Sequence, residues 1–117
     1  MSNFNGHLSP GDFLIKEGQK SNNLYWLQEG ELQILKQVEG KKHKILGTIK
    51  AGELVGEIAF IDQKPRSASV RALTDCQVIT LHYDDFKDMI EEQPKWIKKI
   101  INTLCNRIRE NSLKHER

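Results

Sequence analysis

The stretch Gly52-Glu53-Leu54-Val55-Gly56-Glu57-Ile58-Ala59-Phe60-Ile61-Asp62-Gln63-Lys64-Pro65-Arg66-Ser67-Ala68-Ser69-Val70-Arg71-Ala72 decides how the chain is read. Gly56 permits a turn, or a close backbone approach, that a Cβ would block. The run 57–61 suits a short helical turn, whose first N–H groups lack internal partners and attract an anion. Arg66, directly after Pro65, offers a fork of donors matched to phosphate oxygens, and Ser67 adds a hydroxyl. A carboxylate at Glu57 would repel an anion unless it faces hydroxyl groups of the same ligand. A molecule with a phosphate and a free sugar hydroxyl satisfies both residues, which points to a nucleotide. The plainer alternative makes Arg66 and Glu57 a surface ion pair worth at most ~1 kcal/mol.

Outward from this stretch the pattern is that of short strands. Ser9-Pro10-Gly11-Asp12 is a turn signal ahead of a strand at 13–17, closed by Gly18. Leu24-Tyr25-Trp26-Leu27-Gln28 is rich in large apolar side chains, and Glu29-Gly30 turns into 31–38, which alternates up to Ile34. A further strand spans 43–50, and after Arg66 the runs 67–73 and 76–81 alternate again. Many short strands separated by glycine turns predict an antiparallel jelly roll or barrel. The basic run Lys41-Lys42-His43-Lys44 is read as a solvated hairpin tip in preference to a phosphate patch.

From Asp84 the period changes to helical, with Asp84 and Asp85 at the N-terminus and Phe86, Met89 and Ile90 on one face. Gln93-Pro94 ends that helix and starts another. Ile97, Ile100, Ile101, Leu104, Cys105 and Ile108 follow i, i+3, i+4 spacing to about Asn111, opposite Lys95, Lys98, Lys99, Arg107 and Arg109. Glu91, Glu92 and Glu110 interrupt the basic face, so a helix packed on the roll with a solvated outer side is expected.

With 117 residues, 38% hydrophobic and 29% charged, the chain is expected to form a single globular domain, 1–117, with a modest core. A net charge of +2 is too small to argue for nucleic acid. No apolar run reaches the ~20 residues of a membrane span, and the start lacks the basic and apolar regions of a signal peptide. Cys76 and Cys105 read as buried thiols in a reducing compartment, so a cytoplasmic protein is expected. His7, His43, His82 and His115 lack metal-ligand spacing, and no nucleophile–base pair is visible. The expectation is no enzyme, no catalytic residues, no metal and no cofactor.

Gly56-Glu57-Ile58-Ala59, a short turn, then Pro65-Arg66-Ser67-Ala68-Ser69-Val70-Arg71-Ala72 resembles the phosphate-binding cassette of the cyclic-nucleotide-binding domain family, of the catabolite activator and cAMP-dependent kinase regulatory-subunit type. Arg66 follows Gly56 by ten positions, the kinase-subunit interval. The Pro-Gly-Asp turn, the Asn-Leu-Tyr strand and the Gly30 turn also fit, so the resemblance covers almost the whole chain.

The resemblance implies a mainly β fold with C-terminal helices. An antiparallel jelly roll (a double-stranded β-helix) at 8–83 would carry the cassette at 52–72, followed by a helical lid at 84–113. It implies a cyclic-nucleotide sensor in which Arg66 takes the phosphate with backbone groups at Gly56, Glu57, Ile58, Ala59 and Ala68. Ser67 adds a hydroxyl, and Glu57 accepts the ribose 2′-hydroxyl. Arg107, Asn111 and Ser112 fall where family members have helix residues facing the nucleotide, with Arg107 bracing Glu57 and Asn111 standing where a threonine is usual. Ser67 in place of threonine favours cAMP over cGMP. The expected partners are the nucleotide, a second copy through the final helix, and a downstream effector that the sequence does not identify, with no DNA-binding domain in this chain. The alternative from the same resemblance is a ligand-free dimerisation domain.

Overall fold

A computed structural model of the chain describes residues 4–40 and 42–114, with side chains described within 6–110. Eight strands among these residues form two antiparallel four-stranded sheets. The first sheet holds β1 (Phe4–Leu8), β8 (Cys76–His82), β3 (Asn23–Glu29) and β6 (Leu54–Val55), in that order. The second holds β2 (Phe13–Ile15), β7 (Ser69–Ala72), β4 (Glu31–Lys36) and β5 (Lys44–Lys50). Alternation drives this pairing, because successive side chains leave a strand on opposite faces and one face of each sheet must leave water. Ile15, Leu27, Leu32, Ile49, Val55, Val70, Ala72, Cys76 and Val78 form the buried core of the roll. The fold is the expected antiparallel roll followed by helices.

Two local differences from the sequence pattern have clear causes. β1 adds a strand ahead of position 13, and the sheet therefore begins at Phe4, before the expected start at 8. Phe-Asn-Gly-His-Leu has little intrinsic strand character. It is extended because its backbone pairs along β8, Gly6 opposite Val78 and Leu8 opposite Cys76. In β4 the alternation breaks: Leu32 and Gln33 are both buried, and a register shift follows Ile34. The Gln33 side-chain oxygen there accepts from Arg71 Nε and Nη2 at 3.2 and 2.9 Å, which satisfies a polar group the pattern would expose.

Gly30 shows what its turn requires. Its φ is +94°, and a Cβ would lie 2.4 Å from the Asp75 carbonyl oxygen and 2.6 Å from Cys76 Sγ. Cys76 and Cys105 are free and buried. Lys42, His43 and Lys44 are exposed, as a solvated hairpin tip requires, while Lys41 lies outside the described residues. No helix among the described residues is long and apolar enough to cross a membrane.

Three helices lie among the described residues: α1 (Glu57–Asp62), α2 (Tyr83–Glu91) and α3 (Lys95–Lys114). Phe60 and Ile61 of α1, with Cys105 of α3, form a second buried cluster, against which Leu24, Tyr83, Phe86, Ile101 and Ile108 pack. The single apolar face read for α3 divides in two. Ile101, Cys105 and Ile108 turn inward, whereas Ile97, Ile100 and Leu104 are 42%, 55% and 51% exposed beside Trp96 at 79%.

Candidate functional site

The sheets place the two halves of the cassette against each other. β6 runs into Gly56, whose φ of +76° puts it in the left-handed region immediately before α1. A Cβ at this glycine would lie 2.1 Å from Arg66 Nη1. Glycine is thus required twice over, by its backbone angle and by the guanidinium pressed against it. Glu57 opens α1, a carboxylate in the first turn.

After α1 the chain returns through Gln63, a non-glycine residue at φ 57°. This strained turn is held by side chains. Gln63 Nε2 donates to the carbonyls of Phe60 and Ser21, and Ser21 Oγ donates to the Lys64 carbonyl. The Arg66 N–H donates to the Gln19 carbonyl and the Gly18 N–H to the Arg66 carbonyl, both at 2.8 Å. The loop at 18–21 therefore fixes the height at which Arg66 enters the roll.

Arg66 is 6% exposed. Its Nη1 donates to the Gly56 carbonyl at 2.9 Å, its Nη2 to the Asn23 carbonyl, and its guanidinium lies 6.0 Å from the centre of the Tyr25 ring. Burial pulls its pKa below the usual arginine value, and the negative charges available to Tyr25 and Glu57 pull it partly back. A guanidinium so placed stays charged near neutral pH. No ion pair joins Arg66 to Glu57 among the described residues, so the surface-pair alternative does not describe it.

Of the remaining sequence-derived residues, Ile58, Ala59, Ser67 and Ala68 are half-buried around this point. Lys36 Nζ donates to the Ser67 carbonyl at 3.1 Å. Two cavities border the site. One of about 460 Å³ is lined by Gly18, Ser69, Lys16 and His43 among others. The other, of about 280 Å³, includes Asn23, Tyr25, Thr80 and His82. Neither is lined by Gly56, Glu57 or Arg66, and the guanidinium is bonded to the Gly56 and Asn23 carbonyls.

The helical side departs from expectation in one residue. Arg107 is exposed and makes no bond to Glu57. The bond from α3 to the cassette comes from Arg109, whose Nε donates to the Ile61 carbonyl at 3.2 Å and whose Nη1 donates to Asn106 Oδ1 at 2.9 Å. A cation at the C-terminal end of α1 also suits the helix dipole. The side chains of Asn111 and Ser112 lie outside the described residues. Asn23 and Tyr25 stand in the Asn-Leu-Tyr strand with no site role read for them, and Arg109 carries no motif, so only their contacts reveal what they do.

A family model described as "Cyclic nucleotide-binding domain" matches residues 6–93. Over 102 residues the chain is 30% identical to the cAMP-activated global transcriptional regulator CRP of Salmonella typhimurium, covering 86% of this chain and 49% of that protein. The chain therefore spans about half the length of that relative. A solved structure described as "cAMP bound PfPKA-R" superposes with a TM-score of 0.68 at 31% identity, covering 77% of this chain and 33% of the other. The Thermus thermophilus catabolite activator protein superposes with a TM-score of 0.73 at 25% identity, covering 96% of this chain and 53% of the other.

Proposed function

Since the chain belongs to the cyclic nucleotide-binding domain family, we propose that it is a cAMP sensor module that holds the cyclic phosphate on Arg66. Backbone N–H groups from Gly56 to Ala59 and at Ala68 join the guanidinium, with the Ser67 hydroxyl beside them. Glu57 accepts the ribose 2′-hydroxyl, and α3 is the lid on which Arg107, Asn111 and Ser112 face the nucleotide. It is a binding module with no catalytic residues, and its buried free thiols suit the cytoplasm.

One observation carries this reading. Arg66 is a buried cation that no carboxylate among the described residues touches, held only by neutral carbonyls and a ring. A buried charge without a counter-ion is costly. An anionic ligand that replaces two carbonyls removes that cost and gains charge-assisted hydrogen bonds.

Calorimetric titration with cAMP, cGMP and 2′-deoxy-cAMP tests it. The expected order is cAMP tightest, with the 2′-deoxy analogue weaker by about ten- to a hundredfold, the worth of one hydrogen bond to a charged group. Glu57→Gln should narrow that gap, and a wild type that treats both ligands alike removes Glu57 from the ribose. At a hundred times Kd, cAMP should stabilise the fold by about 2.7 kcal/mol. A melting temperature indifferent to cAMP would instead support the ligand-free dimerisation domain.

The outward stripe on α3 is the observation that favours a second copy as partner. Trp96, Ile97, Ile100 and Leu104 recur at the spacing of a two-helix seam, and Trp is the residue type most enriched at interface hot spots. The chain is expected to sediment as a dimer at micromolar concentration. Ile100→Glu should weaken that dimer at least about tenfold while leaving cAMP titration intact. A monomeric wild type overturns this assignment. The effector is then a protein that reads the position of α3.

A further inference from the structure

We infer that Asn23 is a positioning residue that links the anion site to the junction where the roll becomes helix. The inference rests on the sensor reading above. Three of the polar groups of Asn23 are engaged in different directions. Its carbonyl accepts from Arg66 Nη2, its side-chain oxygen bonds His82 Nδ1, and its side-chain nitrogen donates to Tyr25 Oη at 3.3 Å. Tyr25 in turn lies under the guanidinium. His82 ends β8 and stands in the capping position of α2, directly opposite Asn23 in the β3–β8 ladder. The preceding residue completes the joint, since the Asn22 carbonyl accepts the N–H of Tyr83, the first residue of α2, at 2.9 Å.

Arg66 is thus tied to Asn23, and the start of α2 to Asn23 and its neighbour Asn22. A phosphate offers stronger acceptors than a main-chain carbonyl, so a bound nucleotide competes for Nη2. When it wins, the Asn23 carbonyl loses its donor and must find another, because such groups are rarely left unpaired. The cavity of about 280 Å³ lined by Asn23, Tyr25, Thr80 and His82 gives this residue room to adjust. Any adjustment is passed through the His82 ring and the Asn22 carbonyl to the first turn of α2. Ligand occupancy then alters the lid through a difference in interaction between two states, as a ligand-driven shift requires.

The test uses hydrogen exchange at residues 83–87 of the full chain, with and without saturating cAMP, alongside calorimetric Kd values. In wild type, cAMP should change exchange there by at least about threefold. His82 is exposed, so His82→Phe removes the ring nitrogen without touching the core. That variant should bind cAMP within about fivefold of wild type, the worth of one ordinary hydrogen bond, yet lose the ligand-induced change. Asn23→Ala should also lose it, and His82→Gln, which keeps a donor, should retain it. A merely structural role would alter exchange equally with and without ligand. A wild-type-sized response in both His82→Phe and Asn23→Ala overturns the inference. If wild type binds no cyclic nucleotide, the sensor reading fails by itself, and the link is read on the ligand-free protein. Arg66→Lys should then alter exchange at 83–87 in the wild-type background and not in Asn23→Ala, and no change in either background overturns it.

Discussion

Arg66→Ala is expected to weaken cAMP binding by between about 30-fold and several thousand-fold, corresponding to ~2–5 kcal/mol. That range applies to truncation of one partner of a buried, hydrogen-bonded charge pair, and much of it is the penalty on the partner left behind. Here the partner is a phosphate that would face the Glu57 carboxylate and uncharged backbone with no cation to offset them. Arg66→Lys separates the contributions. It keeps the charge but loses the planar fork that reaches the Gly56 and Asn23 carbonyls together, so it should fall between wild type and alanine.

The ligand-free protein should respond less than the burial of Arg66 suggests. Alanine leaves the Gly56 and Asn23 carbonyls without one donor each, but it also removes a desolvated cation. The two effects oppose one another. Titrations of wild type and both variants, each checked for an intact melting transition, decide the matter. An unchanged Kd in Arg66→Ala would reduce the guanidinium to a clasp between β3 and the cassette.

The largest loss of stability is expected at Phe60. This residue is fully buried at the centre of the second cluster, edge-on to Tyr83 at 5.3 Å and to Phe86 at 5.2 Å between ring centroids. Removing a buried phenyl ring typically costs ~3–5 kcal/mol, and the edge-to-face attraction to both neighbouring rings disappears with it. Against a total stability of about 5–15 kcal/mol this is a large fraction. Phe60→Ala should therefore shift the urea midpoint strongly, and Phe60→Leu should shift it much less.

The destabilisation should also be unevenly distributed, because Phe60 joins α1 to α2 and α3 but belongs to a cluster separate from the core of the roll. Hydrogen exchange in α2 and α3 should rise before exchange in β3, β4 and β8. A midpoint shift worth less than about 1 kcal/mol would mean that other groups close the helices onto the cassette. Arg109, reaching the Ile61 carbonyl from α3, is a polar contact that would remain.

How much of this was legible in the sequence depends on the distance over which each feature is set. Gly56, Glu57, Pro65 and Arg66 are read directly because turn, short helix and guanidinium need particular residue types at short spacing. The start of α2 and the break before α3 are read equally well from paired acids and a Gln-Pro step. β1 was not legible, because a Phe-Asn-Gly-His-Leu segment becomes a strand only when β8 lies alongside it. The exchange of Arg107 for Arg109 has a similar cause. Both residues are basic and two positions apart, and only the rotation of α3 on Phe60 and Ile61 selects which one reaches the cassette.

The antiparallel roll, the helical end and the residues proposed for an anion site all follow from the order of amino acids, because alternation, glycine and proline act within a few residues of where they stand. What Arg66 touches without a ligand is set by packing, which assigns Asn23 and Tyr25 to that site from a strand some forty positions earlier. Packing also sets which part of the apolar face of α3 is covered. Helical spacing shows one broad apolar face, but only the position of α1 determines that Ile101, Cys105 and Ile108 leave water while Ile100 and Leu104 remain in it.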